Sequence, residues 1–345
     1  MRFARRLALT AAAALVAATI APAAGAPHKT TTAPSVSSLV TFAAPGCSGP
    51  CGSGSTIGPD GALYVTDGPG GRVLRIDPQT GATTTYAHGL PPTIGAVGIG
   101  GAIDVIFRDG IGYVLVSVVG PFFGQTGVVD GIYRINPDGT ATPVADIGAW
   151  SIAHPPSGFT FVVTSGVQYA LEQYRGGFLV TDGHLNRVLW VAPDWSIHQV
   201  VQYGDIVPTG LERHGHDVYV AQAGPVPHLP ATGKVTSLDV EDGTTTTLAS
   251  GAPLLVDVER GPANQLYALS QGLWTWPNIP ENAGLPASPN TGSMVRLDGG
   301  TLATVVSGLD RPTSMEISGH TAYVVTMTGT VVKVSNLPHG SGDND

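Results

Sequence analysis

One short all-β module recurs along this chain: a strand such as Leu63-Tyr64-Val65, a turn, and a strand such as Val73-Leu74-Arg75-Ile76. Well-formed copies include Gly58-Pro59-Asp60-Gly61-Ala62-Leu63-Tyr64-Val65, Ile132-Tyr133-Arg134-Ile135-Asn136-Pro137-Asp138-Gly139 and Arg187-Val188-Leu189-Trp190-Val191. With a period of roughly 40 to 50 residues, repetition of such a unit is the pattern of a β-propeller, each unit being one four-stranded blade. Composition agrees, since 47 of 345 residues are Gly, 28 are Pro and only 12% are charged. Turns are therefore abundant and solvated helices scarce. Past the first thirty residues no window sustains a 3.6-residue apolar period, whereas 177–181 and 217–220 have the length, β-branching and boundaries of strands.

Six such units fill the chain, so an all-β, six-bladed propeller is expected, with no second domain. Inner strands fall near 54–57, 103–107, 169–172, 209–212, 256–259 and 314–317. The sixth unit runs out of chain before its outer strand, while a β-like segment at 36–42 precedes the first inner strand. Pairing the two closes the ring and removes exposed edges. Residues 1–26 read as an export signal, with Arg2, Arg5 and Arg6 ahead of an apolar stretch 7–20 and small residues around Ala21-Pro22-Ala23-Ala24. That stretch falls short of the roughly 20 residues a bilayer span needs. The expected layout is thus a signal at 1–26, a flexible N-terminus at 27–35, the propeller at 36–336 and a disordered tail at 337–345, in a secreted monomer without a membrane span in its mature form.

Loss of the three signal arginines takes the formal charge from −9 to −12, and no basic cluster remains. Nucleic acid and anionic membranes are excluded as partners on that ground. The two cysteines, Cys47 and Cys51, sit in Gly46-Cys47-Ser48-Gly49-Pro50-Cys51-Gly52, and in an exported chain they are expected to form a disulfide.

Antiparallel strand order assigns the loops to faces. Inner-to-second and third-to-outer turns leave one face and are short, as at 58–61, 137–139 and 241–243. Second-to-third and outer-to-inner connections leave the other face and include the long segments 117–130, 147–166, 222–232 and 270–291. Loops of that length in a compact domain are usually functional. They carry Phe122, Phe123, Trp150 and His154, and also His228, Trp274 and Trp276, an aromatic-rich face suited to an unidentified small molecule or an extracellular protein.

The motif Val207-Pro208-Thr209-Gly210-Leu211, the turn and strand at 58–65, the phrase Val144-Ala145-Asp146-Ile147 and the export signal together resemble the secreted ScyD/ScyE-type proteins of bacteria, NHL-type six-bladed propellers. That resemblance implies fold and location rather than catalytic residues. In the related gluconolactonase (SMP-30-like) propellers an axial divalent cation is held by a Glu, an Asn and an Asp on inner strands. Here Thr209 and Val256 stand at two of those places, so the resemblance does not carry the ligand set over.

The axis nevertheless collects acids. Glu172, Glu212, Glu259 and Glu316 occupy equivalent places on inner strands three to six, where the first two carry Thr56 and Ile106. Two positions earlier stand Asp104 and Asp257, three blades apart and so expected to face each other. Two readings follow: a cation site for Ca2+ built from hard oxygen donors, or carboxylates that cap N–H groups of the next blade and pair with Arg108, Arg213 and Arg260. His214 and His216 fall in a short turn, whereas His154 and His184 lie on the long-loop side and are the candidates for a base; neither has a Ser or Cys nucleophile context nearby. The first functional reading is a non-catalytic propeller that binds through its long-loop face. The alternative is a metal-dependent, lactonase-like hydrolase or lyase with an axial cation.

Overall fold

The computed structural model describes residues 32–338, apart from 44–46, 48–49, 96–97, 159 and 280–281. The proposed export signal, most of 27–35 and all but the first two residues of 337–345 lie outside the described residues. From Ala33 on, the chain forms one compact unit.

Among the described residues there are 24 strands, read in chain order as antiparallel runs of four. A lone strand β1 (Ser35–Thr41) comes first. It is followed by β2–β5 (Ser55–Ile57, Leu63–Asp67, Arg72–Ile76, Thr83–Ala87) and β6–β9 (Gly101–Arg108, Ile111–Ser117, Gly131–Ile135, Ala141–Asp146). Next come β10–β13 (Gln168–Tyr174, Gly177–Asp182, Arg187–Val191, Ile197–Gln202) and β14–β17 (Pro208–His214, Asp217–Gln222, Lys234–Leu238, Thr245–Ser250). The chain ends with β18–β21 (Leu255–Arg260, Leu266–Ser270, Gly292–Asp298, Thr301–Leu309) and β22–β24 (Pro312–Ser318, Thr321–Thr326, Thr330–Ser335). They make four four-stranded sheets and one of eight strands, in which β14–β17 and β18–β21 meet through a single parallel bridge, Ser250 to Thr301. The arrangement is all-β and propeller-like.

The last run takes its fourth strand from the start of the chain. β1 lies antiparallel to β24, with Ser35 opposite Ser335 and Val36 opposite Val334. The inner strands β2, β6, β10, β14, β18 and β22 touch in that order, and β22 returns to β2. Each seam between successive runs is filled by a buried apolar cluster. The closing one joins Leu63, Val65, Leu74 and Ile76 to Tyr323, Val325 and Val331. Aromatic rings cross the seams, Tyr64 edge to face against Phe107 at 4.7 Å, the geometry their quadrupoles prefer, and Tyr113 tilted against Phe178 at 4.9 Å. Polar stitches reinforce the closure, with the Ser55 and Ser314 hydroxyls 2.9 Å apart and the Cys51 N–H donating to the Met327 carbonyl at 2.8 Å.

Four short helical elements among the described residues depart from the all-strand expectation, three of them single 3₁₀ turns. Residues after β9 form a short helix, α1 (Ile147–Ala153). Asp146 caps it by accepting from the Ala149 N–H at 2.8 Å. Arg187, wholly buried, donates to the His154 carbonyl beyond its other end at 2.9 Å and stacks over Trp150 at 5.0 Å. Seven residues are too few to show a helical period, so tertiary contacts rather than local patterning hold this turn in place.

Candidate functional site

The inner strands project one ring of side chains toward the axis. Asp104, Asp257, Glu172, Glu259 and Glu316 line a common cavity of about 40 Å³ together with Thr56 and Ile106. Glu212 stands beside them without lining the cavity, close enough to raise the proton affinity of Glu172, Asp257, Glu259 and Glu316. A space this small holds a few waters, whereas organic ligands occupy pockets of roughly 300–1,000 Å³. Any organic substrate must therefore be handled outside the channel.

Most of the acids are already engaged. Asp104 Oδ1 accepts from the Val105 N–H at 2.8 Å, and Oδ2 reaches into the next run to accept from the Leu171 N–H at 2.8 Å. Asp257 repeats this with the N–H groups of Val258 at 2.9 Å and Met315 at 2.7 Å. Glu316 accepts from Ile57 across the closing seam at 3.3 Å, and Glu212 accepts from the N–H groups of Arg213 and Arg260. Glu172 accepts from the Gln173 N–H at 2.9 Å, with Arg213 Nε 4.0 Å away. Arg260 instead lies over the Tyr219 ring at 5.5 Å, and Arg108 donates to the Gly176 carbonyl and the Tyr113 hydroxyl, so neither cation neutralises the channel through a direct ion pair.

Burial raises every one of these acids above its ordinary range, and mutual repulsion adds to it. Asp257 is pushed up to about 7 and Glu172 to about 8; Asp104, Glu259 and Glu316 go well above the usual carboxylate value. The ring thus keeps protons near neutral pH. Among the described residues, no group of three His, Cys, Asp or Glu side chains is disposed to hold a metal ion. Thr209 does not stand in as a ligand, since its hydroxyl donates to the carbonyls of Leu255 at 2.8 Å and Ala221 at 3.1 Å. The residues present do not fit the axial cation expected for Ca2+, and the capping of neighbouring N–H groups is what the geometry displays.

The long connections carry the other candidates, and their fates differ. Phe122 is 42% exposed and meets the half-buried Phe123 edge to face; Trp276 is 43% exposed. Trp274 and His228, expected on the binding face, are instead buried and pack edge to face at 6.2 Å beneath it. His184 accepts from the Val163 N–H through Nε2 at 3.1 Å, which occupies the nitrogen a base would use, and burial lowers its pKa. His154 is exposed and stacked on Trp150 at 4.4 Å. Its Nδ1 faces the Trp150 carbonyl at 2.8 Å, so in the neutral tautomer that nitrogen carries the proton and the lone pair falls on Nε2.

Aliphatic exposure, which attention to aromatic residues missed, marks this face more sharply. Nine large apolar side chains are exposed among the described residues, and apart from Val36 all lie on or beside the long connections. Besides Phe122 and Trp276 they include Leu229, Leu273, Ile279 and Ile152. The four long connections 118–130, 147–167, 223–233 and 271–291 contain only two charged residues, Asp130 and Glu281, a deficit visible in the sequence against 12% charge overall.

No protein-family model matches the sequence, and neither does any curated protein. Solved structures do resemble the fold. A gluconolactonase from Xanthomonas campestris superposes with a TM-score of 0.57 at 14% identity, covering 88% of this chain and 89% of that one. PQQ-bound aldose sugar dehydrogenase from Streptomyces coelicolor gives 0.55 at 12% identity over 88% and 98%, and catalytically inactive virginiamycin B lyase from Staphylococcus aureus with quinupristin gives 0.52 at 12% over 88% and 99%. At such identities the likeness establishes the propeller fold. The Cys47–Cys51 disulfide, and the lack of any described helix long and apolar enough to cross a membrane, are compatible with an extracellular protein.

Proposed function

We propose that this chain is a secreted, six-bladed propeller that acts as a hydrolase or lyase on a small organic molecule, which it receives at the long-loop face. The count of six takes the eight-stranded sheet as two blades joined by their one bridge. The gathering of eight of the nine exposed large apolar side chains on or beside the long connections carries the proposal, because patches of this kind on a soluble protein are sites of interaction. Three of the fold neighbours are a lactonase, a lyase and a sugar dehydrogenase, which favours chemistry over passive binding. His154 is assigned the role of general base: the Trp150 carbonyl orients its ring, and Nε2 is left to take a proton from water or from the substrate. No step is routed through a metal. A non-catalytic binder of the ScyD/ScyE type is the second reading, favoured by the engagement of the channel acids in backbone hydrogen bonds.

The test is turnover of a panel of cyclic esters and cyclic depsipeptides by the mature protein, with and without chelator. Ring opening that falls about 10²-fold or more in His154→Gln supports the acid–base assignment. Binding without turnover supports the second reading. Loss of activity on chelation would restore the axial cation.

A further inference from the structure

The two ends of α1 are held differently. Its first turn is fixed by the Asp146 cap and by the Gly148 N–H, which donates to the Asp130 carbonyl at 2.8 Å. Past its last turn the chain is tied at Ser157, whose N–H and carbonyl both engage the Gln202 side chain, at 3.3 and 2.8 Å. His154 lies between these anchors, and the side chain that reaches it from elsewhere in the fold is that of Arg187. Nη1 donates to the His154 carbonyl at 2.9 Å, and the guanidinium carbon stands 5.0 Å from the centre of the Trp150 ring. On that same ring the imidazole stacks at 4.4 Å and 14°. Trp150 and His154 are four residues apart, the spacing that brings side chains together on a helix.

A guanidinium is a poor choice for packing alone. The Arg187 side chain is wholly buried, burial lowers its pKa, and the equally buried Asp182 stands 3.5 Å from Nε. Nε and Nη2 find no hydrogen-bond partner among the described residues. An apolar side chain of similar size would cover Trp150 without that desolvation. What it could not supply is a donor to the His154 carbonyl and a cation on the Trp150 ring. We propose that Arg187 is a positioning residue for His154, holding the backbone carbonyl and the Trp150 ring so that the imidazole keeps one orientation. This rests on the reading of His154 as the base and deepens it, by naming what fixes that base before a substrate arrives. A base held in one orientation has little freedom left to lose on reaching the reactive geometry.

The experiment follows the Cε1–H resonance of His154 in the mature chain by NMR, assigned by its disappearance in His154→Gln. In the unsubstituted protein the Trp150 ring current should place it upfield of His214 and His216 in their exposed turn. In Arg187→Lys, whose compact ammonium cannot cover a ring as a planar group does, and in Arg187→Met, it should move to the position of those two. Asp257→Ala, which is expected to lose comparable stability in a different run, should leave it upfield. The Arg187 guanidinium protons should exchange slowly and show an Overhauser contact to the Trp150 indole, a readout that does not need the variants to fold. With an ester that the protein opens, Arg187→Lys should lower kcat about tenfold or more and leave KM within about twofold. A resonance that starts at the exposed position, stays upfield in both Arg187 variants or moves equally in Asp257→Ala overturns the proposal. So does absence of the Overhauser contact, or a loss carried by KM alone. An upfield resonance released by Arg187→Lys, in a protein that opens no ester, removes the catalytic reading and leaves the imidazole held by Arg187. Turnover that His154→Gln abolishes while Arg187→Lys changes neither resonance nor kcat does the reverse.

Discussion

Replacing Glu172 with Gln should stabilise the protein at neutral pH and do little in acid. Glu172 faces Glu212 and Asp104 in the channel, and burial with that repulsion raises its pKa from 4.5 to about 8. The folded protein therefore binds a proton that the unfolded chain releases between pH 4.5 and 8, so stability is greatest below that window and declines as pH rises through it. One unit of displacement corresponds to about 1.4 kcal/mol, so at pH 7 holding the proton favours the unfolded chain by roughly 3 kcal/mol. Glutamine keeps an acceptor for the Gln173 N–H and needs no proton, so it avoids that cost. With unfolding entropy near 2.1 cal/mol/K per residue over roughly 300 residues, 3 kcal/mol corresponds to about 5 °C in Tm. Thermal unfolding of both proteins at pH 4.5, 7 and 8.5, followed by circular dichroism, should show a gap that opens with pH. A gap that stays constant, or Gln destabilising most at high pH, would mean that Glu172 is ionised and paired, and the protonated channel would be wrong.

Two further outcomes follow. Asp257→Ala, which strips the acceptors from the buried N–H groups of Val258 and Met315, should cost about 2–5 kcal/mol in denaturant unfolding, and Asp104→Ala, acting on Val105 and Leu171, a comparable amount. Arg187→Met should cost about 3–5 kcal/mol, because it strands the buried carboxylate of Asp182, 3.5 Å away, and frees α1; faster amide exchange at 147–154 would separate that local release from global loss of stability.

Much of the fold was legible because strands advertise themselves locally. The missing outer strand of the last run and the spare segment ahead of the first implied each other, and β1 pairs with β24 as that symmetry demanded. Aligning inner strands was enough to gather Asp104, Asp257 and the glutamates on one axis. Other features depend on contacts remote in sequence. Nothing local tells that Trp274 is buried at 8% while Trp276, two residues on, is exposed; the difference is made by Ala223, Leu254 and Ala287 closing over one ring. His184 likewise looked equivalent to His154 until the Val163 N–H occupied its acceptor nitrogen.

The choice between a cation cage and a structural ring of acids turns on how much room the channel leaves. In the layer of Asp104 and Asp257 the six inner strands place Gly54, Asp104, Ala170, Gly210, Asp257 and Ser314, a pattern that nearly repeats after three. A Cβ at Gly210 would sit 2.7 Å from Asp257 Oδ1, and one at Gly54 would collide with Asp104. Each aspartate thus occupies the space its neighbour gives up and reaches forward to the N–H of Leu171 or Met315, tying three successive runs together. Two such keystones, three runs apart, take up the space that Gly54 and Gly210 leave open. A carboxylate held on two N–H groups is oriented toward the backbone, and a cation on the axis would have to draw it away from both. The same contacts that lock the ring therefore commit both aspartates to the backbone, and in the function proposed above chemistry on an organic molecule falls to the loops, where His154 and the exposed apolar side chains stand.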